Sequence, residues 1–197
     1  MKKVRLSIAV LLSVWSLAVN ADNGSVVSGV NVEKSEQKKV RLYTQTAEPV
    51  EVAIIDADGN LLYQGNVAKG QKGTTSFNLN GLPDGQYYLT ATNNTYWMSQ
   101  VLAIRGNVVT VDERSQKQIL QPTVSSYEKN KFEVVLPAKN VDAANIAIYD
   151  SQNVLVQAGA LKGTAGRYDL SSLPEGTYTF VVGPDQKQFF SKVEIKH

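Results

Sequence analysis

Asn78-Leu79-Asn80-Gly81-Leu82-Pro83-Asp84-Gly85-Gln86-Tyr87 returns 91 positions later as Asp169-Leu170-Ser171-Ser172-Leu173-Pro174-Glu175-Gly176-Thr177-Tyr178. Each copy follows an aromatic residue, Phe77 or Tyr168, and precedes a β-rich run. A small sandwich needs one such corner, where its chain crosses between sheets, so two corners predict two similar β-domains in tandem. Pro83 and Pro174 preset φ for the second turn position, and Gly85 and Gly176 are expected to supply a conformation that a β-carbon opposes. Leu82 and Leu173 are placed as plugs at the end of each core. Tyr87 and Tyr178 are predicted to point inward, their hydroxyls reaching back to a backbone group near the corner, because a buried phenol needs a partner.

Further blocks repeat in the same order. Ile146-Ala147-Ile148-Tyr149-Asp150 lies 94 positions after Val52-Ala53-Ile54-Ile55-Asp56, and Leu155-Val156 keeps that offset from Leu61-Leu62. The drop to 91 at the corner puts a loop three residues shorter in the second copy, as a surface connection permits. Ser99-Gln100-Val101 matches Ser191-Lys192-Val193 at an offset of 92. Within the first copy, Val40, Leu42 and Thr44 alternate toward one face, as do Val50, Val52 and Ile54, which is the period of a half-buried strand. Asp56-Ala57-Asp58-Gly59-Asn60 is predicted as a hairpin turn with Gly59 at positive φ. No stretch outside the first residues keeps a helical period, so the fold class is all-β: two immunoglobulin- or fibronectin-like sandwiches.

The first residues read as an export signal. Lys2, Lys3 and Arg5 precede the fourteen largely apolar residues Leu6 to Val19, and Val19-Asn20-Ala21 offers small residues where a signal peptidase reads, so cleavage is expected before Asp22. That apolar run is shorter than the roughly 20 residues needed to span a bilayer, so no transmembrane segment is expected after cleavage. The expected divisions are a signal peptide at 1–21, a flexible lead-in at 22–38 with room for one edge strand around Val26 to Val32, a sandwich at 39–112, a linker at 113–118 and a second sandwich at 119–197. The formal charge of +2 includes the three basic leader residues; without them 17 basic residues face 18 acidic ones, a balance of about −1. Nucleic acid is therefore not an expected partner. Cysteine is absent, so packing alone must hold each domain, and neither a disulfide nor a lipid-modified cysteine is available. An exported chain of this kind suits a bacterial periplasm, cell surface or secreted location.

Reactive side chains are scarce. His197 is the one histidine, so a Ser-His-Asp or Cys-His nucleophile and a nitrogen-sulfur zinc site lack their parts, and no catalytic residue, cofactor or metal is expected. Asp56-Ala57-Asp58-Gly59-Asn60 misses the EF-hand calcium pattern, which needs Gly at position six and Glu at twelve. One ligand site emerges: Tyr96 and Trp97 follow an Asn-Asn turn, strand alternation sends only one of them to the core, and the other is free to stack on a sugar ring or a partner protein. Phe189-Phe190 is its parallel in the second copy.

The strand, the short Asp/Gly hairpin, the Leu-x-x-Leu-Pro-x-Gly-x-Tyr corner and the final Lys-rich strand resemble secreted Bacteroidetes β-sandwich domains. Two families share the pattern: the C-terminal sorting domain of the type IX secretion system, and a small exported domain of unknown function. The resemblance covers most of Ile146 to His197 and, less closely, Val52 to Ile104. In the sorting domain the final strands guide passage across the outer membrane, and Gly176, Tyr178, Lys192 and Lys196 are the matching positions. The sequence thus leads to an exported, non-enzymatic protein acting through its surfaces on an unidentified protein or glycan at the cell envelope. A carbohydrate-binding module at Tyr96 and Trp97 and a type IX cargo are the alternatives.

Overall fold

A computed structural model describes residues 10–11, 29–44, 48–67, 73–137 and 143–197. The cleavage position and most of the leader lie outside the described residues. The chain divides into two compact units, Met1–Lys117 and Gln118–His197. Every strand pairing whose register is resolved is antiparallel, and the single helical element is one 3-10 turn among the described residues.

In the first unit the strands are β1 (Val10–Leu11), β2 (Val30–Glu36), β3 (Lys39–Thr44), β4 (Val50–Asp56), β5 (Leu61–Val67), β6 (Gly73–Asn78), β7 (Gly85–Thr92), β8 (Tyr96–Arg105) and β9 (Val108–Val111). A 3-10 turn at Glu113–Ser115 follows, and in β10 (Lys117–Leu120) the chain passes to the second unit. One sheet runs β1-β6-β3-β2; the other runs β10-β8-β7-β4-β5, with β9 paired to β8. Period-two alternation produces this layering: Val40, Leu42, Val52, Ile54, Leu89, Met98 and Leu102 are wholly buried between the sheets. Tyr63 of β5 meets Phe77 of β6 edge-on, ring centroids 5.4 Å apart, and packs one sheet against the other.

The second unit has seven strands: β11 (Thr123–Glu128), β12 (Lys131–Val135), β13 (Ala143–Tyr149), β14 (Leu155–Lys162), β15 (Ala165–Asp169), β16 (Gly176–Gly183) and β17 (Phe189–Ile195). They form sheets of order β11-β12-β15 and β14-β13-β16-β17. Phe180 of β16 lies edge-on to Phe132 at 5.9 Å and to Tyr168 at 5.7 Å, so one ring from the four-stranded sheet is gripped by two from the other. Ile146, Ile148, Leu170 and Val182 complete that core.

Two stretches carry local structure beyond the sequence reading. Residues 30–36, in the lead-in where an edge strand is expected around Val26 to Val32, form the edge strand β2, because Val30 and Val32 alternate inward and are only 3% and 4% exposed. Residues 113–118 hold the 3-10 turn and the start of β10, and the boundary between the two units falls inside them. Asp112 caps that turn through the Arg114 N–H at 3.1 Å, and the Ser115 hydroxyl accepts the Val101 N–H at 3.0 Å, so the polar residues here cap a turn.

The corners match expectation in one respect and differ in another. The Tyr87 hydroxyl donates to the Pro83 carbonyl at 2.8 Å and that of Tyr178 to the Pro174 carbonyl at 3.0 Å, each phenol being 4% exposed. Of the two corner glycines, only Gly176 has a positive φ, at 154°. A β-carbon at Gly85 meets nothing closer than the Tyr87 hydroxyl at 3.5 Å, an ordinary contact, so this glycine is not demanded by the backbone. The hairpin turn behaves as read: Gly59 has φ 84°, and in the second copy Asn153 takes the same left-handed place at 61°.

Register also corrects the last repeated block. Tyr87 pairs with Leu102 in the first unit and Tyr178 with Val193 in the second, so β8 and β17 correspond at an offset of 91, not 92. A slip of one residue reverses which face each side chain takes. The partner of Phe190 in the first unit is therefore Ser99, and that of buried Phe189 is buried Met98.

Candidate functional surface

Tyr96 and Trp97 open β8 after the Asn93-Asn94 turn, where the Asn93 carboxamide accepts the Thr95 N–H at 3.0 Å. Alternation sends Tyr96 inward: it is 3% exposed, and its hydroxyl accepts the Val30 N–H at 3.4 Å, tying β8 to the edge strand of the opposite sheet. Burial pushes that phenol up to about 12. Tyr96 is thus part of the packing between sheets, and Trp97 is the member of the pair on the outer face.

Trp97 is half-buried. The pairing across the sheet places Thr92 of β7 beside it, then Glu51 of β4 and Asn66 of β5. Glu51 accepts a hydrogen bond from the Gln64 side chain, which holds its carboxylate along the sheet. The outer face thus carries, in order from the indole, a bordering hydroxyl and then a carboxylate and an amide. Such a border can hydrogen-bond a polyol while the ring covers its apolar face. None of these groups forms a nucleophile-base pair.

The positions matched to sorting domains lie in the second unit. Gly176 and Tyr178 serve the corner described above. Lys192 sits exposed on the outer face of β17 beside Thr179. Lys196 pairs with Glu194 at 2.6 Å, which raises the ammonium above its ordinary range and lowers the carboxylate. Its backbone is held at both ends by Asn130, whose carboxamide accepts the Lys196 N–H at 3.1 Å and donates to its carbonyl at 3.0 Å. His197 donates its N–H to Glu175 at 3.1 Å, and its Nε2 lies 2.9 Å from the Leu173 carbonyl. The imidazole therefore braces the corner.

One residue that sequence reasoning passed over is Lys38. It is 7% exposed, its carbonyl accepts the Leu79 N–H at 2.9 Å, and its ammonium donates to the Leu82 carbonyl at 2.7 Å. Asn130 holds the equivalent place, accepting the Leu170 N–H at 3.0 Å. A lysine in a polar turn gives no signal of this role; only the fold brings it against the corner.

Asp56 closes its hairpin by accepting the N–H groups of Asp58 and Asn60 and the Asn60 side chain, at 2.8 to 3.0 Å. Those bonds, from Asn60 first, hold its carboxyl below the usual range. Its oxygens are thus engaged by the turn. Among the described residues no three acidic, histidine or cysteine side chains gather into a metal-binding group, and no helix is long and apolar enough to cross a membrane.

Residues 36–105 match the family model of the secretion system C-terminal sorting domain. The resemblance read from the corner motif is thereby shown, and it falls on the first copy, whereas the sequence placed its closer form in Ile146 to His197. By register, Gly176 and Tyr178 correspond there to Gly85 and Tyr87, while Lys192 and Lys196 correspond to Val101 and Arg105. No curated protein matches the chain. Solved structures similar to it include the BSP domain of a biofilm-associated protein, at 14% identity over 85% of this chain and 29% of that one, with a TM-score of 0.30. A two-domain fibronectin type III segment of chicken tenascin is 12% identical over 86% of this chain and 98% of that one, at a TM-score of 0.30. The central fibronectin III array of RIM-binding protein is 15% identical over 90% and 63%, at 0.29. At such TM-scores these likenesses carry no argument, and the fold rests on the sheets themselves.

Proposed function

We infer that this is an exported, non-enzymatic protein of two β-sandwich domains that works through its surfaces as a structural, adhesive or assembly component of a bacterial cell envelope. The observation that carries the reading is the match of residues 36–105 to a secretion sorting domain. The leader-like composition of residues 1–21 supports export through a signal peptide. The inventory supports a non-catalytic role: the one histidine braces a corner and no cysteine exists. Expression of the full chain with fractionation and N-terminal sequencing tests it. A mature protein beginning at Asp22 outside the cytoplasm is expected, and intact Met1 on a cytoplasmic protein overturns it.

A second reading, carbohydrate binding, is favoured by the row that runs from Trp97 through Thr92 to Glu51. Binding on a glycan array that disappears in Trp97→Ala while the fold persists is its expected result. No binding to any glycan removes it. For the third reading, a type IX cargo sorted by its last domain, the mature protein must lose its C-terminal segment; retention of His197 on the exported protein refutes it.

A further inference from the structure

Strand β14 is an open edge. Among the described residues it has one sheet neighbour, β13, so the main-chain groups of its far side face outward. Natural sheets blunt such edges with charges, proline or bulges. From Gln152 to Leu161 the chain has no charged residue and no proline, Lys162 ends the strand, and a bulge opposite Ile148 and Tyr149 interrupts only its first residues. Val154, Leu155 and Val156 are 54%, 51% and 37% exposed, and in β14 only Leu161 is buried.

The first unit does the same job differently. Tyr63, opposite Ile54, covers Phe77; Gln157, opposite Ile148, stands in its place in β14 and supplies no such cover. On the outer face, one row across the first unit reads Ser99, Thr90, Ala53, Gln64. The corresponding row in the second reads Phe190, Val181, Ala147, Ala158, with Phe190 66% exposed. The fold therefore does not require an apolar outer row, since the same chain builds it with a polar one.

We propose that β14 pairs antiparallel with β14 of a second copy, about a two-fold axis through Ala158 perpendicular to the sheet. That axis sets Ala158 against Ala158 and Gln157 against Gly159, with the bulge at Val156 at each end of the regular stretch. Outer residues stay on one face, and the apolar row runs unbroken across eight strands. Charge selects the occupant: a two-fold pairing sets like residues near one another, which a charged strand resists and this neutral one does not. A partner recognised through charge has nothing to hold along it. The contact is isologous, so pairing consumes both edges and closes at two copies. Size sets its strength. A seven-residue edge is about 24 Å long at roughly 3.4 Å per residue, and such a contact falls short of the roughly 800 Å² per partner of stable complexes. The dimer is weak and concentration-dependent.

Sedimentation velocity on the purified full chain, from low micromolar to hundreds of micromolar, tests this independently of export or glycan binding. The expected result is a rise from one-copy toward two-copy mass that Ala158→Lys abolishes, because two ammonium groups then meet at the axis. Gln64→Lys, the same place on β5, and Phe190→Ser, on the far edge of the sheet, leave the rise intact. A wild-type chain that stays monomeric throughout overturns the proposal, as does an Ala158→Lys chain that associates normally or a loss of association in Gln64→Lys. Should Ala158→Lys fail to fold, hydrogen exchange on the wild type decides: amide protection at 155–161 must rise with concentration, and constant protection refutes the pairing.

Discussion

Removing one oxygen atom tests the corner on which both domains turn. In Tyr178→Phe the ring keeps its place in the core, so no cavity opens, and the loss is confined to the 3.0 Å hydrogen bond to the Pro174 carbonyl. A net intramolecular hydrogen bond contributes about 0.5–1.5 kcal/mol, and because Pro174 is exposed its carbonyl can turn to water, which keeps the cost within that range. With a urea slope of about 1–3 kcal/mol/M, the midpoint of the second domain falls by several tenths of a molar. Its melting temperature drops by roughly 4–8 °C for each kcal/mol, as for any domain near this length. Tyr87→Phe does the same to the first domain through its 2.8 Å bond to Pro83. Tyr88→Phe is the control, since that hydroxyl only accepts an exposed bond from Gln86 at 3.3 Å. Equilibrium urea unfolding followed by far-UV circular dichroism reads all three. If Tyr178→Phe unfolds within about 0.3 kcal/mol of the parent, the resolution expected of independent sites, the hydroxyl holds nothing and the argument from the repeated corner fails.

Gly183 and Gly59 separate two reasons for glycine. At Gly183, with φ 150°, a β-carbon would stand 2.1 Å from the Lys187 carbonyl oxygen, so Gly183→Ala forces the β16–β17 connection apart. It should cost more than about 2 kcal/mol, against about 1 kcal/mol for Gly59→Ala, where only φ is strained; equal costs by thermal unfolding would contradict this. Asp56 gives a pH test. Its carboxyl is held below the ordinary 3.8, so its contribution to stability is present above that value and is lost as pH falls through the lower folded value. Melting curves from about pH 7 to about pH 2 should show Asp56→Asn below the parent at neutral pH, with the gap closing in acid. A gap that stays constant means the turn bonds do not depend on the charge.

Local chemistry was legible where one residue type does one job. Pro83 and Pro174, the turn at Gly59 and the inward tyrosines could be assigned because ring closure, a missing β-carbon and a phenol's need for a partner act within a few residues. The alternation of Val40, Leu42, Val52 and Ile54 likewise named its own buried face. Lys38 could not be read, since its carbonyl partner at Leu82 lies 44 positions away. The edge strand expected around Val26 to Val32 was legible only in its approximate place: its extent, Val30 to Glu36, is set by the pairing with β3.

The candidate surfaces divide in the same way. That one of Tyr96 and Trp97 must face the core followed from strand periodicity; which one did not, because the answer depends on the sheet packed behind them. The final strand shows the limit most plainly: repeated letters aligned Ser99 with Ser191, while hydrogen-bond register aligns Ser99 with Phe190. Sequence alone determined an all-β chain with two corners of one kind, because those signals are carried by backbone preferences within a turn or strand. Tertiary structure alone decided which faces are apolar and which edge stands open, because register and burial belong to pairs of strands and to no single stretch of the chain.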